Sequence, residues 1–384
     1  FIGALFPVLT NTALGVREVL PVYLDAAKSL GASKWRCYRE VIWPSALPSV
    51  FAGLRIGLGF AWMCVVAAEM VAARSGLGYQ IQLHRQLLRL DRVVAGMIAI
   101  GVLGYFMSRL MVGAEWLCLP WRRNASPRSA SRQQKTRRDE SEGTGPAAVG
   151  GSDRSLTLTR RRRDVEERAR PQDPGTIPTP GATGAAVEVR NLDFGYSAGA
   201  AVIEDLSVAV APGEVFCILG PSGCGKTTFL RLLAGLEGPL GGSIHIGGEP
   251  LEERHGEVTM VFQSSALFPW KSALGNVAFG LGRREDSRRR RRQAGTYFLD
   301  LVGLSDKAYA YPDQLSGGQQ QRVAVARALA YGPRVLLLDE PFGALDSQTR
   351  EALQEEVSRL VAETGITVVM VTHDISEAVF MADR

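Results

Sequence analysis

A glycine-rich run that ends in Lys-Thr-Thr constrains this chain more than any other stretch. It follows the apolar residues 215–219 and precedes a helical pattern over residues 229–234. Glycine has no Cβ, so the backbone N–H groups can close around phosphate oxygens, and the N-terminus of the next helix favours the same anion. The run matches G-x-x-x-x-G-K-[ST] in the strand–turn–helix context that this pattern requires. The sequence therefore predicts a nucleotide-phosphate loop made of Gly220, Pro221, Ser222, Gly223, Cys224, Gly225, Lys226, Thr227 and Thr228.

The chain is too long for one ordinary domain, and its composition changes along its 384 residues. Residues 1–119 are strongly apolar, residues 120–184 are rich in Arg, Pro and Gly, and residues 185–384 have an α/β pattern. The net charge of +5 comes largely from arginine clusters outside the predicted cores, so it does not indicate a nucleic-acid partner. The five cysteines lack metal-ligand and disulfide spacing, which fits a reducing, cytosol-facing protein. We expect a fragment truncated at both ends.

Two apolar runs are long enough to cross a bilayer. Val50–Ala72 carries only Arg55 and Glu69 as charges, and as a helix it would be about 34 Å long. Val93–Val112 is the second run, and residues 1–16 have the composition of the end of another. Buried helices of a large soluble protein are the alternative, but two such runs within the first third of the chain favour a membrane.

Positive charge is concentrated in residues 17–48 and after residue 119, which the positive-inside rule places in the cytoplasm. A nucleotide-using domain must lie on the same side. Charge is costly in lipid, so Arg55 and Glu69 are functional candidates. Arg55 either lies in the pathway of an anionic substrate or, like Glu69, takes part in a pair that holds helices together.

Residues 120–184 have no periodic apolar pattern, which predicts a disordered linker. Its arginines either contact anionic lipid headgroups or are simply solvated. The run Arg288–Arg292 is predicted to be a solvated helix face.

Acidic and glycine-rich motifs further along the chain complete a predicted hydrolysis site. The apolar strand 335–338 ends in Asp339, a candidate Mg²⁺ ligand together with Thr227, and in Glu340, a candidate general base. A second phosphate cradle is predicted at a helix start, where N–H groups are unpaired. It consists of Ser316, Gly317, Gly318 and Gln319.

These motifs, in this order, resemble those of ABC ATPases, and Leu315–Arg322 is similar to the family's signature sequence. The resemblance implies further roles. Tyr196 would stack on adenine, with Phe194 as the weaker candidate. Gln263 would reach Mg²⁺ and the attacking water, and His373 would contact the γ-phosphate. Leu345 and Asp346 would lie at the seam of a head-to-tail dimer in which each signature closes over the partner's nucleotide.

Residues 1–115 resemble the permeases of binding-protein-dependent importers, in particular those for nitrate, sulfonates and taurine. The loop 17–48 is similar to the family's glutamate-alanine-alanine loop, with Asp25 in place of the glutamate, followed by Ala26, Ala27 and Gly31. The resemblance implies that this loop couples the membrane domain to the ATPase, where it would meet the loop after Gln263, from Ser264 to Trp270. An interfacial amphipathic helix is the alternative for this loop.

The expected architecture is an α-helical transmembrane permease domain (1–119), the linker (120–184) and a C-terminally truncated α/β P-loop ATPase domain (185–384). We expect ATP-driven import of a small anion across the cytoplasmic (inner) membrane, in a multi-pass protein with a cytoplasmic ATPase domain. The expected cofactors are ATP and Mg²⁺. The expected partners are a second copy or paired half-transporter, an external solute-binding protein and the lipid bilayer, with no nucleic acid. The alternatives are a non-transport ATPase acting on nucleic acid, with the apolar third a mere anchor, and a lipid or drug exporter.

Overall fold

A computed structural model of the chain describes residues 2–122, 184–197, 200–253, 256–283, 287–343 and 345–384. The predicted linker lies outside the described residues except at its two ends, the short 3₁₀ turn Pro120–Arg122 and Gly184.

The N-terminal third is helical, as its apolar periodicity predicts. A π-helical turn, Tyr38–Ile42, joins the third helix to the fourth, so that the chain is helical without a break from Lys34 to Ala72. The helices are α1 (Ile2–Arg17), α2 (Pro21–Ser29), α3 (Lys34–Cys37), α4 (Trp43–Ala72), α5 (Leu77–Gln86) and α6 (Leu90–Cys118).

Two helices in the described part of the chain are long and apolar enough to cross a membrane, Lys34–Ala72 and Leu90–Cys118. Both extend beyond the predicted spans, and the first continues through residue 48, the predicted end of the 17–48 loop. Pro44 lies in the first turn of α4, where a missing N–H is tolerated, and its fixed φ suits a helix. Neither Pro44 nor Pro48, which lies further inside α4, interrupts the helix.

Small residues let α1 pack closely against α4. Gly53 and Gly57 are buried, and an added Cβ at Gly57 would lie 2.8 Å from the carbonyl oxygen of Ala4. At Gly59, two residues further along α4, an added Cβ would meet nothing within 4 Å. The glycine-rich pattern of this span therefore has one side that packs against α1 and one that does not.

The C-terminal part contains two four-stranded sheets. The antiparallel sheet has the order β2-β1-β4-β5 and the parallel sheet the order β3-β8-β7-β6. The parallel strands are continuous apolar runs because both of their faces are covered, one by helices and the other by a helix together with the antiparallel sheet. In chain order the strands are β1 (Val187–Ser197), β2 (Ala200–Val210), β3 (Val215–Leu219), β4 (Gly241–Ile246), β5 (Glu249–Pro250), β6 (Val258–Val261), β7 (Val335–Asp339) and β8 (Thr367–Thr372).

Helices complete this α/β domain and direct its functional loops to one edge of the parallel sheet. The loops that follow β3, β6, β7 and β8 carry Gly220–Thr228, Gln263, Glu340 and His373. Parallel strands end at the same edge, which brings these loops together. The helices are α7 (Lys226–Leu233), α8 (Ala273–Gly280), α9 (Arg288–Leu301), α10 (Gly317–Tyr331), α11 (Ser347–Thr364) and α12 (Ile375–Met381).

The arginine run lies at the start of α9. Arg289, Arg290 and Arg292 are exposed, Arg291 is half-buried, and Arg292 donates to the Tyr309 hydroxyl at 3.2 Å. This arrangement agrees with the predicted solvated face.

We predict that Gly57→Val destabilises the α1–α4 pair, because the new side chain would overlap the Ala4 carbonyl. Overpacking of this kind costs about 1–3 kcal/mol. The melting temperature of the purified protein in detergent measures the effect. Gly59→Val is the matched control and should melt close to the unaltered protein, and equal losses in the two variants would contradict the packing described here.

Candidate functional site

The glycine-rich loop joins β3 to α7 and curves around the Lys226 ammonium group. Lys226 Nζ donates to the carbonyl oxygens of Gly220 and Pro221, at 2.8 Å each. Gly223 and Gly225 have φ values of +85° and +96°, a left-handed conformation that side chains disfavour. At Gly225 an added Cβ would also lie 3.2 Å from the Val202 carbonyl oxygen. The loop therefore needs glycine at these two places in order to hold its lysine in the curve.

Thr227 and Asp339 form a pair of oxygen donors at the start of α7. The Thr227 hydroxyl donates to Asp339 Oδ1 at 3.1 Å. Burial raises the pKa of the Asp339 carboxyl, against the Thr227 hydrogen bond and the Lys226 charge, which lower it. A cation at this position would relieve that burial cost, and hydroxyl and carboxylate oxygens are the ligands Mg²⁺ takes. The described residues contain no group of three or more His, Cys, Asp or Glu side chains that could hold a metal, so phosphate and water oxygens would have to complete its coordination.

Three predicted catalytic residues, each from a different strand end, meet at Glu340. Gln263 Nε2 donates to Glu340 Oε2 at 2.9 Å, and His373 Nδ1 lies 3.3 Å from Glu340 Oε1. Glu340 has a φ of +45°, which is uncommon for a residue with a side chain, and its N–H donates to the Val371 carbonyl. Strain of this kind persists where the surrounding structure fixes it and is typical of active sites.

Tyr196 lies next to the phosphate loop. Its hydroxyl is 3.2 Å from Thr228 Oγ1, and its ring, on a side chain that is 62% exposed, meets Phe194 edge-on with the centroids 5.0 Å apart. Phe194, the weaker candidate for stacking on a base, is buried in the core. Of the two aromatic residues, Tyr196 is therefore the one with a face open to a ligand.

The second cradle begins α10 and faces outward. Ser316 Oγ accepts from the Gln319 N–H at 3.2 Å, while Gln319 Oε1 accepts from the Ser316 N–H at 3.0 Å, which is a reciprocal capping box. Gly317 is exposed, and an added Cβ would meet nothing there. Gly318, in the same first turn, is half-buried. Among the described residues, no hydrogen bond or ion pair joins this cradle to the Gly220–Thr228 loop of the same chain.

The predicted seam residues differ in their exposure. Asp346 caps α11 through its carboxylate, which accepts from the Thr349 N–H at 3.1 Å, and that backbone bond lowers the pKa of Asp346. The Leu345 side chain is buried in the core, and a position of this residue at the seam stays a prediction. Leu345 packs inward just before the start of α11, and Asp346 is the exposed residue of the two.

The segment 17–48 lies against the ATPase domain. Asp25 Oδ2 accepts from the Arg231 guanidinium at 3.0 Å, and the same nitrogen binds Glu237 at 2.9 Å. Ala26 and Ala27 are almost completely buried, because their small side chains let α2 approach closely. Gly31 has a φ of +63° at the turn after α2. All four predicted coupling residues therefore lie in or next to this contact.

Arg55 and Glu69 do not pair with each other. Arg55 on α4 forms an ion pair with Glu115 on α6, and Glu69 Oε2 accepts from the Gly78 N–H at 2.9 Å. Both contacts hold helices together, which was one of the two roles considered for these charges.

Several contact residues had no predicted role. Arg327 on α10 is buried, and it donates to the carbonyl oxygens of Ala266 at 2.7 Å and Ser265 at 3.1 Å. Burial lowers the pKa of Arg327 to about 10. Its signal in the sequence is a lone charge within the apolar run 323–329. Arg231 and Glu40, whose carboxylate binds Lys271 Nζ at 2.8 Å, gave no comparable signal, because their partners are far away in the sequence. Trp270 belongs to the stretch after Gln263 that was expected to meet the 17–48 loop.

Comparison with known families accounts for both halves of the chain. The family model "Binding-protein-dependent transport system inner membrane component" matches residues 1–113, and "ABC transporter" matches residues 203–343. An inner-membrane transport component leaves no support for the alternative of an ATPase that acts on nucleic acid.

Individual relatives match the ATPase half. A nitrate import ATP-binding protein of Synechococcus elongatus is 48% identical, over 47% of this chain and 67% of its own length. An aliphatic sulfonates import ATP-binding protein of Agrobacterium fabrum is 48% identical, over 53% of this chain and 76% of its own. A taurine import ATP-binding protein of Chromobacterium violaceum is 51% identical, over 47% of this chain and 69% of its own length. A solved dimeric ATP-binding cassette is 36% identical with a TM-score of 0.49, and the match covers 51% of this chain and 91% of that one. The chain belongs to the ABC transporter family.

We predict opposite pH effects on stability from the two aspartates with shifted pKa values. The pKa of Asp339 is raised in the folded state, so its stabilising contribution is present below the unfolded pKa of about 3.9 and is lost as the pH rises through the folded pKa. Asn does not ionise, so Asp339→Asn does not lose this stability. The difference between its melting temperature and that of the unaltered protein should therefore shift in favour of Asp339→Asn as the pH rises.

Asp346→Asn is the matched control with the reverse sign. The pKa of Asp346 is lowered, so its contribution is present above the unfolded pKa and disappears as the pH falls. Melting curves of nucleotide-free protein between about pH 4 and 7.5 measure both differences. The same pH trend in both variants would contradict these assignments.

Proposed function

We propose that the protein uses ATP hydrolysis to import a small anion of the nitrate, sulfonate or taurine class across the cytoplasmic membrane. One observation carries the proposal: the Asp25–Arg231 ion pair joins the membrane portion to the helix that follows the phosphate loop. The relatives of the ATPase half are named for nitrate, sulfonate and taurine import, and they indicate the substrate class. The pair supports a direct mechanical link between nucleotide and membrane helices.

The phosphate loop binds ATP through charge and backbone. Lys226 faces the β- and γ-phosphates, and the N–H groups of Gly223–Thr228 and the α7 dipole stabilise the same negative charge. Tyr196 stacks on the adenine. Thr227 and Asp339, together with Gln263, would hold Mg²⁺, and the ion, when bound, would neutralise phosphate charge.

Hydrolysis depends on the cluster around Glu340. Its carboxylate orients a water molecule and accepts a proton as the water oxygen attacks the γ-phosphorus, and the bond from that phosphorus to the ADP oxygen breaks. Gln263 and His373 hold the carboxylate from both sides, and His373 also contacts the γ-phosphate. General-base catalysis of this kind contributes about 10²–10⁴-fold to the rate.

A second copy is needed to complete each nucleotide site. The exposed cradle Ser316–Gln319 offers N–H groups to an anion, but it makes no polar contact with its own phosphate loop among the described residues. A head-to-tail pair places each cradle over the partner's γ-phosphate, with Asp346 at the seam. Closing of this pair on ATP then moves the 17–48 segments and the membrane helices attached to them.

Residues 1–119 lie in the bilayer as a multi-pass domain and residues 185–384 lie in the cytoplasm, and residues 120–184 join them. An external solute-binding protein delivers the substrate. Arg55, which is partly exposed and paired with Glu115, is the candidate for attracting an anion within the membrane portion.

We predict ATP-dependent uptake of nitrate, taurine or an alkanesulfonate by cells that express the transporter, measured as growth on each compound as the sole nitrogen or sulfur source.

Glu340→Gln should bind ATP but release phosphate at least about 10²-fold more slowly, because the general base is lost. It should also abolish growth. Near-normal phosphate release by this variant would refute the role of Glu340, and growth on none of the compounds would refute the substrate class.

We predict that Ser316→Arg blocks hydrolysis by preventing closure of the pair. The bulky cation occupies the place where the partner's phosphates would lie, so sedimentation in the presence of ATP should show no nucleotide-dependent dimer. Thr296→Arg, at an exposed position on α9, adds the same charge elsewhere and should dimerise and hydrolyse normally. Dimerisation of Ser316→Arg with ATP would contradict the shared site.

A further inference from the structure

Arg350, on α11, contacts three groups with one guanidinium. Its Nη2 donates to the Leu345 carbonyl oxygen at 3.1 Å, and its Nη1 donates to Asp374 Oδ2 at 3.4 Å. Its Nε lies 3.7 Å from Glu377 Oε1. The three nitrogens of a guanidinium are fixed in one plane, so a side chain that uses all three holds its partners at set positions relative to one another.

These partners lie on two segments that carry predicted hydrolysis residues. Leu345 follows Glu340 by five residues, after β7. The two carboxylates belong to residues 372–377, at and after the end of β8, which include His373 and which we call the His373 segment. β7 and β8 are neighbours in the parallel sheet, and in the described part of the chain their backbone bonds end with the one that the Glu340 N–H donates to β8. Beyond that bond, Arg350 ties the two segments together.

A buried negative charge anchors the His373 segment. Glu377, in the first turn of α12, is almost completely buried, and its carboxylate accepts from the Thr372 hydroxyl at 2.6 Å. The Thr372 hydroxyl oxygen in turn accepts from the Asp374 N–H at 3.0 Å. A buried carboxylate is costly unless hydrogen bonds and a cation satisfy it, and Arg350 is the cation beside Glu377. These contacts fix the backbone on both sides of His373.

The His373 side chain depends on that backbone for its position. It is 62% exposed, and its Nδ1 lies 3.3 Å from Glu340 Oε1. Because little core packing holds an exposed ring, its direction follows from the backbone that carries it. A displacement of about 1 Å at a catalytic group can cost about 10²-fold in rate. The contacts of Arg350 are therefore placed where they decide whether His373 reaches Glu340.

We propose that Arg350 is a positioning residue for ATP hydrolysis, which holds the His373 segment against the turn after Glu340. It acts through a backbone carbonyl on one side and two carboxylates on the other, and it touches neither the nucleotide nor the attacking water. The inference rests on the proposed function, because it assumes that Glu340 and His373 act on ATP. An ion pair that only stabilises the fold is the alternative that the experiment must separate from this role.

ATP hydrolysis by the full chain in lipid nanodiscs, measured as phosphate release, tests the proposal. In Arg350→Gln, kcat should fall about tenfold or more, because the His373 segment loses its tie. The KM for ATP should stay within about twofold, because the phosphate loop and Tyr196 bind the nucleotide. Arg359→Gln is the matched control. Arg359 is an exposed arginine of the same helix that pairs with its own neighbours, and its variant should keep both constants.

A double variant separates positioning from plain stabilisation. If Arg350 acts through His373, then Arg350→Gln should lower the rate by less than about twofold in a His373→Ala background, measured in single turnovers with excess protein. A residue that only stabilises the fold would lower the rate by the same factor with and without the histidine.

Arg350→Lys keeps the test valid if the glutamine variant folds poorly. Its ammonium group still neutralises Glu377, so the melting temperature should stay close to that of the unaltered protein. A single ammonium group cannot also reach both the Leu345 carbonyl and the Asp374 carboxylate. The kcat should therefore still fall about threefold or more.

An unchanged kcat in Arg350→Gln or Arg350→Lys would overturn the role of Arg350, and so would an equal loss with and without His373. Failure of the unaltered chain to hydrolyse ATP would instead refute the proposed function, and the role of Arg350 with it.

Discussion

The close contact between the helical segment 17–48 and the loop after Gln263 is the interaction on which the rest of the structure depends. Ala26 and Ala27 are almost completely buried there, and Tyr23 meets Trp270 edge-on with the ring centroids 5.6 Å apart. Aromatic packing and small side chains exclude water from this interface, which strengthens the ion pairs at its border. The interface gives a membrane helix a rigid connection to a nucleotide site.

The parallel sheet brings the predicted site residues together at one edge, where two of them are held in energetically unfavourable states. Strand ends supply the phosphate loop, the glutamine, the two carboxylates and the histidine from positions between residues 220 and 373. Asp339 is buried with a raised pKa, and Glu340 has a left-handed backbone. Both features are unfavourable in themselves, and both are relieved or used when charged phosphates and a cation are present.

Much of this could be predicted from the sequence, since local patterns determine it. The phosphate loop, the apolar strand before Asp339 and the long apolar runs each carry a pattern whose physical meaning does not depend on distant residues. The partners of Asp25 and Glu40 could not be predicted in this way, because Arg231 and Lys271 lie about 200 residues away and look like ordinary surface charges. The helix that continues through residue 48, the predicted end of the 17–48 loop, could not be predicted from the apolar pattern alone, because its first turns are amphipathic and contain Pro44 and Pro48. Leu345 was predicted to lie at a seam from the motif around it, and its apolar side chain is buried in the core.

Photo-crosslinking from position 23 tests the central claim most directly. Tyr23 is replaced by the photoreactive amino acid benzoylphenylalanine, which keeps an aromatic side chain in the interface, and the crosslinked peptides are identified by mass spectrometry after irradiation of the full chain in membranes. The account predicts crosslinks to the peptide that contains Phe268 and Trp270, because both rings lie within 6.4 Å of the Tyr23 ring. Crosslinks confined to lipid or to the membrane helices would contradict it, since the 17–48 segment would then not be docked on the ATPase domain.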